Sequence, residues 1–293
     1  MVFDLKNSTV CAKADTKGGE LVSLIGADGV EHIWGGDPAY WSGRNPILFP
    51  IIGALKDGKT ILKGESYAMA RHGFARRSEF TAVETGADHV VFELCENEET
   101  LRQYPYRFAL RVTHTLVENG FATTVAVQNR DDEPMPFCLG GHTAFRCPLR
   151  KGERFEEYEL HFDKTETASS LRLNAEGNLM HGERFPVLEN TRVYALDHRV
   201  FDERDTLIFD ALASRGVELR HRESGHGVRI EFEDYPMFAV WTKPRGNAPY
   251  ICLEPWQGCA AVDNESGRFE DKPCCYILQP GQEKCFTYTV RIL

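Results

Sequence analysis

From Arg107 the chain reads RFALRVTHTL, placing Phe108, Leu110, Val112, His114 and Leu116 on one face, and after Glu118-Asn119-Gly120 the pattern resumes in GFATTVAVQN. Strict alternation gives a strand one apolar face and denies a helix a continuous stripe, so two such runs around a turn predict a hairpin. The same period recurs in Val217-Glu-Leu-Arg220, Gly227 to Phe232, Met237 to Trp241 and Cys285 to Ile292, punctuated by Ser224-Gly-His-Gly and Gln279-Pro-Gly. Helical signals are short: Glu98 to Tyr104 ahead of Pro105, and Asp202 to Ala213. No strand–helix–strand rhythm, fixed-period repeat or low-complexity linker interrupts the chain. The expected fold is therefore all-β, a large antiparallel β-sandwich of two packed sheets, formed as a single domain over residues 1–293.

Charge and cysteine usage narrow the function classes. A formal net charge of −10 disfavours nucleic-acid and anionic-membrane partners. No run approaches the roughly 18 apolar residues of a membrane span, and Met1-Val-Phe-Asp-Leu-Lys lacks the features of a signal peptide, so the expected location is cytoplasmic. Nine cysteines, with Cys274 and Cys275 adjacent and no Cys-x-x-Cys, fit buried reduced thiols better than a disulfide framework or a zinc ribbon.

Gly53-Ala-Leu-Lys-Asp-Gly-Lys-Thr60 matches the phosphate-loop pattern at each required position. Such a loop must open a helix, whose free N–H groups and dipole hold the phosphates. Here Ile61, Leu62, Gly64 and Tyr67 follow, residues that favour a strand, and Asp57-Gly58 suits a hairpin turn. No nucleotide is expected to bind.

Three other segments are richer than a β core requires: Arg71-His-Gly-Phe-Ala-Arg-Arg77, Leu139-Gly-Gly-His-Thr-Ala-Phe145 and Ile251-Cys-Leu-Glu-Pro-Trp-Gln-Gly258. Each sets an acid or base beside glycine or proline and an aromatic ring. Glycine permits close approach, and an aromatic face packs against the C–H face of a sugar. Taken singly, His72 and His142 also suit hydrogen-bonded core positions, and Glu254 a solvated strand end. A Glu254 pressed against Trp256 would instead lose water and gain the raised pKa of a general base.

These segments, with Arg44-Asn-Pro-Ile-Leu-Phe-Pro-Ile-Ile-Gly53 before them and Leu278-Gln-Pro-Gly-Gln after, occur in an order that resembles the aldose 1-epimerase (galactose mutarotase) family. The resemblance is to the divergent bacterial branch whose active-site glutamate sits in Glu-Pro-Trp. It runs from about Arg44 to the C-terminus. It implies a supersandwich of the galactose-mutarotase type, no metal, no cofactor, a small-molecule sugar as partner, and a monomer or homodimer. The implied reaction is interconversion of the α and β anomers of a free aldose. By the same resemblance Glu254 is the general base at the C1 hydroxyl and His142 the general acid at the ring oxygen. His72, Arg44 and Asp205 hold the sugar, and Trp256 and Phe145 form walls. Thr143 departs from the proline that often follows the histidine in this branch.

Two further possibilities stay open. A hexose-6-phosphate 1-epimerase would use arginines such as Arg71, Arg76 and Arg77 for phosphate. In an extended segment, however, Arg71 and Arg77 share a face and Arg76 points away, so the three would not converge. A non-catalytic sugar-binding module on the same fold is the other, since fold does not dictate function.

Overall fold

The computed structural model describes residues 1–293. Two antiparallel sheets carry the core. The larger has nine strands in the order Leu179–Ala195, Tyr158–Leu173, Gly216–His221, Gly227–Glu231, Glu283–Ile292, Gly120–Asn129, Phe108–Val117, His89–Cys95 and Thr81–Thr85. The second runs Thr206–Phe209, Met237–Trp241, Tyr250–Gln257, Leu139–Gly141, Ile47–Leu48, with Thr143–Arg146 also pairing to Tyr250–Gln257. An N-terminal sheet of Val2–Lys6, Cys11–Asp15 and Glu20–Ile25, the hairpin Lys59–Leu62 with Glu65–Ala68, and the pair Met135–Phe137 with Tyr276–Leu278 complete the β structure. No helix is long and apolar enough to cross a membrane.

The alternating runs fold as their period requires. Phe108–Val117 and Gly120–Asn129 pair in register from Gly120 opposite Val117 to Asn129 opposite Phe108. Phe108, Leu110, Val112, Phe121, Val125, Phe286, Tyr288 and Val290 turn their buried faces into one continuous hydrophobic cluster shared by both sheets. The second sheet reaches that cluster through two glycines of Leu139–Gly141. A Cβ on Gly141 would lie 2.8 Å from the Tyr288 ring, and one on Gly140 would lie 2.7 Å from the Trp256 ring. Only glycine lets this strand lie between two aromatic side chains.

Three local expectations need correction. The helix near residue 200 spans His198–Arg204, not Asp202 to Ala213: the Asp197 carboxylate caps it by accepting from Arg199 N–H, and Thr206–Phe209, β-branched and apolar, continues as a strand. Only Cys138, Cys147, Cys252 and Cys259 are buried, and Cys11, Cys274 and Cys285 are exposed, although all nine are free thiols. In the phosphate-loop look-alike no helix follows Lys59; Lys59–Leu62 and Glu65–Ala68 form the hairpin, which turns at Lys63-Gly64 instead of Asp57-Gly58. Gly53 has its own structural reason. Its φ is +65°, and a Cβ there would meet the Ala260 Cβ at 2.5 Å.

Candidate active site

The segments around His142 and Glu254 meet on one strand pair. Gly140 is opposite Trp256 and Thr143 opposite Leu253, a register that puts His142 directly across from Glu254. Directly opposed residues share a face, and His142 Nε2 lies 3.3 Å from Glu254 Oε2. Both side chains are nearly closed to solvent, at 7% and 1% exposure. The Thr143 hydroxyl donates to Asn45 Oδ1 at 2.8 Å, so the residue in the unusual position anchors the chain beside the histidine.

This pair forms part of the wall of a cavity of about 290 Å³. Trp41, His72, Arg71, Arg76, Asp205, Trp241 and Trp256 line it too. Its size lies at the lower end of small-molecule sites, suited to a single sugar ring. Glu254 Oε2 and the Trp256 indole N–H make no hydrogen bond of good geometry in the protein, although the indole N–H is close enough to Glu254 to favour its carboxylate form. Buried polar atoms are rarely left unpaired, and a polyhydroxylated ligand would satisfy them.

His72 is fixed by its neighbour. Gly53 N–H donates to His72 Nδ1 at 3.1 Å, and His72 N–H returns a bond to Gly53 O at 2.9 Å. An accepting Nδ1 puts the proton of the neutral ring on Nε2, making His72 a donor. Its φ of +66° is uncommon for a side-chain-bearing residue and is held by these two bonds. Asp205 has the same sign of φ, follows the helix His198–Arg204, and accepts from the Thr206 hydroxyl at 2.6 Å.

Burial dominates the electrostatics. It pushes the Glu254 carboxyl well above its usual range, with Asp205 adding to the rise and the Trp256 N–H and Arg76 opposing it. Burial, with the Arg76 charge beside it, lowers His142 to about 3. Burial likewise lowers His72, and the charges of His142 and Arg76 act in the same direction. The low-dielectric site thus disfavours charge on both members of the pair. Cys252 Sγ lies within 4.8 Å of the same two groups. Burial holds that thiol protonated, and Arg76 faces the carboxylate, so the trio is poorly suited to a cation.

The arginines fall differently from the extended-segment expectation. Ala75–Arg77 is a turn of 3-10 helix, which breaks the period of two. Arg71 and Arg76 both reach the cavity, whereas Arg77 bonds back to Gly73 O. Arg71 also donates to Glu176 O, at 3.4 Å, while the Arg76 guanidinium has no ion-pair or hydrogen-bond partner in the protein. Arg44 is not on the cavity wall: its Nε donates to Gly35 O at 3.1 Å. Phe145 is wholly buried in the core and lies outside the lining.

Sequence reasoning missed the two indoles over His142. The Trp41 ring lies 4.9 Å from the imidazole at 33°, and Trp241 lies 5.7 Å away at 75°. Trp41 is held from behind, since Trp34 Nε1 donates to Trp41 O at 2.8 Å. Its loop carries no periodic pattern, so the only available signal was an aromatic residue between glycines.

A two-sheet sandwich of this topology, with these elements around a small cavity, has the galactose-mutarotase type of fold. The chain belongs to the aldose 1-epimerase family, whose model matches residues 1–288. It is 38% identical over 300 residues, with both chains fully covered, to the plasmid and chromosomal LacX proteins of Lactococcus lactis subsp. lactis. Among solved structures, it is similar to a galactose mutarotase related enzyme from Lactobacillus acidophilus, with TM-score 0.95, 29% identity, and coverage of 100% of this chain and 97% of that one. A galactose mutarotase-like protein from Lactobacillus casei aligns over the full length of both chains with TM-score 0.90 and 27% identity.

Proposed function

We propose that the protein is an aldose 1-epimerase that interconverts the α and β anomers of a free aldose, with Glu254 and His142 as the acid–base pair. The observation that carries this reading is the 3.3 Å approach of two opposed, buried proton-transfer groups on the wall of a cavity sized for one sugar ring.

In the reactive state Glu254 is a carboxylate and His142 an imidazolium. The carboxylate takes the C1 hydroxyl proton as the C1–ring-oxygen bond breaks, and His142 Nε2 gives its proton to the ring oxygen. The products are an open-chain aldehyde, a protonated Glu254 and a neutral His142. Rotation about C1–C2 presents the other face of the carbonyl, and the two transfers reverse. Burial, which disfavours charge on both groups, favours the protonation state reached when the ring is open. Arg76 opposes the rise at Glu254 and keeps the carboxylate form accessible. The Trp41 indole, tilted 33° to the imidazole at 4.9 Å, suits an imidazolium ring, as aromatic faces suit cations generally. His72, Arg76 and Asp205 hold the sugar hydroxyls. Each positioned proton transfer typically contributes about 10²- to 10⁴-fold.

One observation favours a second reading, a hexose 6-phosphate as substrate: Arg71 and Arg76 both line the cavity. The neutral aldose is preferred because Arg76 already has an electrostatic task beside Glu254. Exchange NMR of glucose, galactose and their 6-phosphates, with catalytic amounts of protein, tests both. Faster anomer exchange for the neutral sugars is expected. Exchange confined to the phosphates, lost in Arg71→Ala, would establish the second reading, and no exchange with any aldose would leave a binding module.

A further inference from the structure

A second concentration of ligating side chains lies outside the cavity, on the hairpin formed by Gly216–His221 and Gly227–Glu231. His221 and His226 close its turn, with His221 N–H donating to His226 O at 2.9 Å. Their rings lie parallel, 3° apart in plane, with centroids separated by 5.1 Å. The Ser224 hydroxyl at the tip contacts both Nδ1 atoms, at 2.7 Å from His221 and 2.6 Å from His226. This leaves both Nε2 edges facing the segment around Tyr158, whose hydroxyl lies 3.0 Å from His226 Nε2 and would give up that contact to an ion. There a Glu153 oxygen lies 3.2 Å from His226 Nε2, and Glu157 lies 3.9 Å from His221 Nε2.

We propose that Glu153, His221 and His226 form a binding site for a divalent transition-metal cation of the zinc type. One donor atom from each lies within 4.8 Å of the other two. Two imidazoles and a carboxylate are ligands that suit zinc, cobalt or nickel, and three protein ligands leave a position for water. The surrounding contacts are those a metal site needs. Histidine ligands are usually oriented by a partner on the other ring nitrogen, and here the Ser224 hydroxyl contacts both Nδ1 atoms; ligation through Nε2 puts the His221 proton on Nδ1 and displaces the Ser224 backbone N–H that lies 3.3 Å from it. Arg150 N–H and the Tyr158 hydroxyl donate to Glu153 Oε2, fixing the carboxylate and leaving Oε1 for the ion. The site is reachable, with side-chain exposures of 11% for His221, 13% for His226 and 16% for Glu153. Sharing one ion, with metal–nitrogen distances of about 2.0–2.1 Å, requires the parallel rings to tilt their Nε2 edges together. The short turn between them is exposed at Arg222, Glu223 and Ser224.

Such an ion would clamp the hairpin tip to the segment around Glu153. The inference is independent of the reaction at Glu254, which it leaves untouched. The test is calorimetric titration of the full-length, metal-free protein with Zn2+, with Co2+ substituted and followed by visible absorption. One equivalent should bind, the Co2+ spectrum should show nitrogen and oxygen ligation without a thiolate charge-transfer band, and the melting temperature should rise with added ion. Binding should weaken at least about tenfold in His221→Gln, His226→Gln or Glu153→Gln, and about 10- to 100-fold in Ser224→Ala. No saturable binding would overturn the proposal. So would a thiolate band, which assigns the ion to a cysteine, or unchanged affinity in the His221→Gln/His226→Gln double variant.

Discussion

The cavity has two unlike walls. One is sheet: His142, Glu254, Trp256 and Trp241 stand on or between paired strands whose register sets their spacing. The other is loop and turn: Trp41, Arg71, His72, Arg76 and Asp205 sit in irregular chain, two of them with positive φ. The difference teaches a division of labour. Proton transfer tolerates little misplacement and is carried by a ladder, whereas substrate contacts are built on segments held by a few hydrogen bonds.

The largest effects should come from the sheet wall. Glu254→Gln and His142→Asn are expected to fold and to lose about 10²-fold or more in kcat, measured by anomer-exchange NMR. Loss confined to KM would show that the sheet wall binds sugar without transferring protons.

Arg76 joins the two walls and should come next. Removing its charge lets Glu254 rise further, so the carboxylate form appears at higher pH. Arg76→Ala should lower kcat about tenfold, because the shared proton then stays on Glu254, and Arg76→Lys should restore most of the rate. A rise in KM with kcat unchanged would make Arg76 a plain binding contact.

Loop-wall changes should be milder. His72→Asn, which tolerates positive φ, should raise KM severalfold with little change in kcat, because it removes one donor to the sugar. An equal fall in kcat and kcat/KM would place His72 in the transition state.

The smallest expected effect is on stability. The folded pKa of Glu254 lies above its usual 4.5, so the cost of burying its charge is absent below that pH and grows as pH rises toward the raised value. Glu254→Gln should therefore melt at the same temperature as the wild type near pH 4 and about 2 °C or more higher at pH 8. A lower melting temperature at pH 8 would mean that the carboxylate is stabilised by its surroundings.

The same division explains what was legible in the sequence. The period-two run Phe108 to Leu116 announces a strand because most of it buries alternate residues, whereas Met237 to Trp241 is a strand buried on both faces from Met237 to Val240. His142 and Glu254 stood out because the glycines and Pro-Trp beside them have no purpose in an ordinary strand. The 16- and 17-residue strands Tyr158–Leu173 and Leu179–Ala195 were not apparent, since bulges and exposed polar residues interrupt their alternation. On the loop wall, pattern gave little. Arg71 and Arg76 converge through a 3-10 turn that no simple period describes, Arg44 turns to the Gly35 carbonyl, and Trp41 reaches His142 by a loop with no repeat.

The central claim is that Glu254 and His142 act as one unit across the ladder. Its most direct test is anomer-exchange NMR on galactose with the wild type, Glu254→Gln, His142→Asn and the double variant. Groups that work as a unit lose nearly everything with the first removal, so the double variant should be no slower than the slower single variant. Losses that multiply in the double variant would contradict the account, because each residue would then contribute independently of the other.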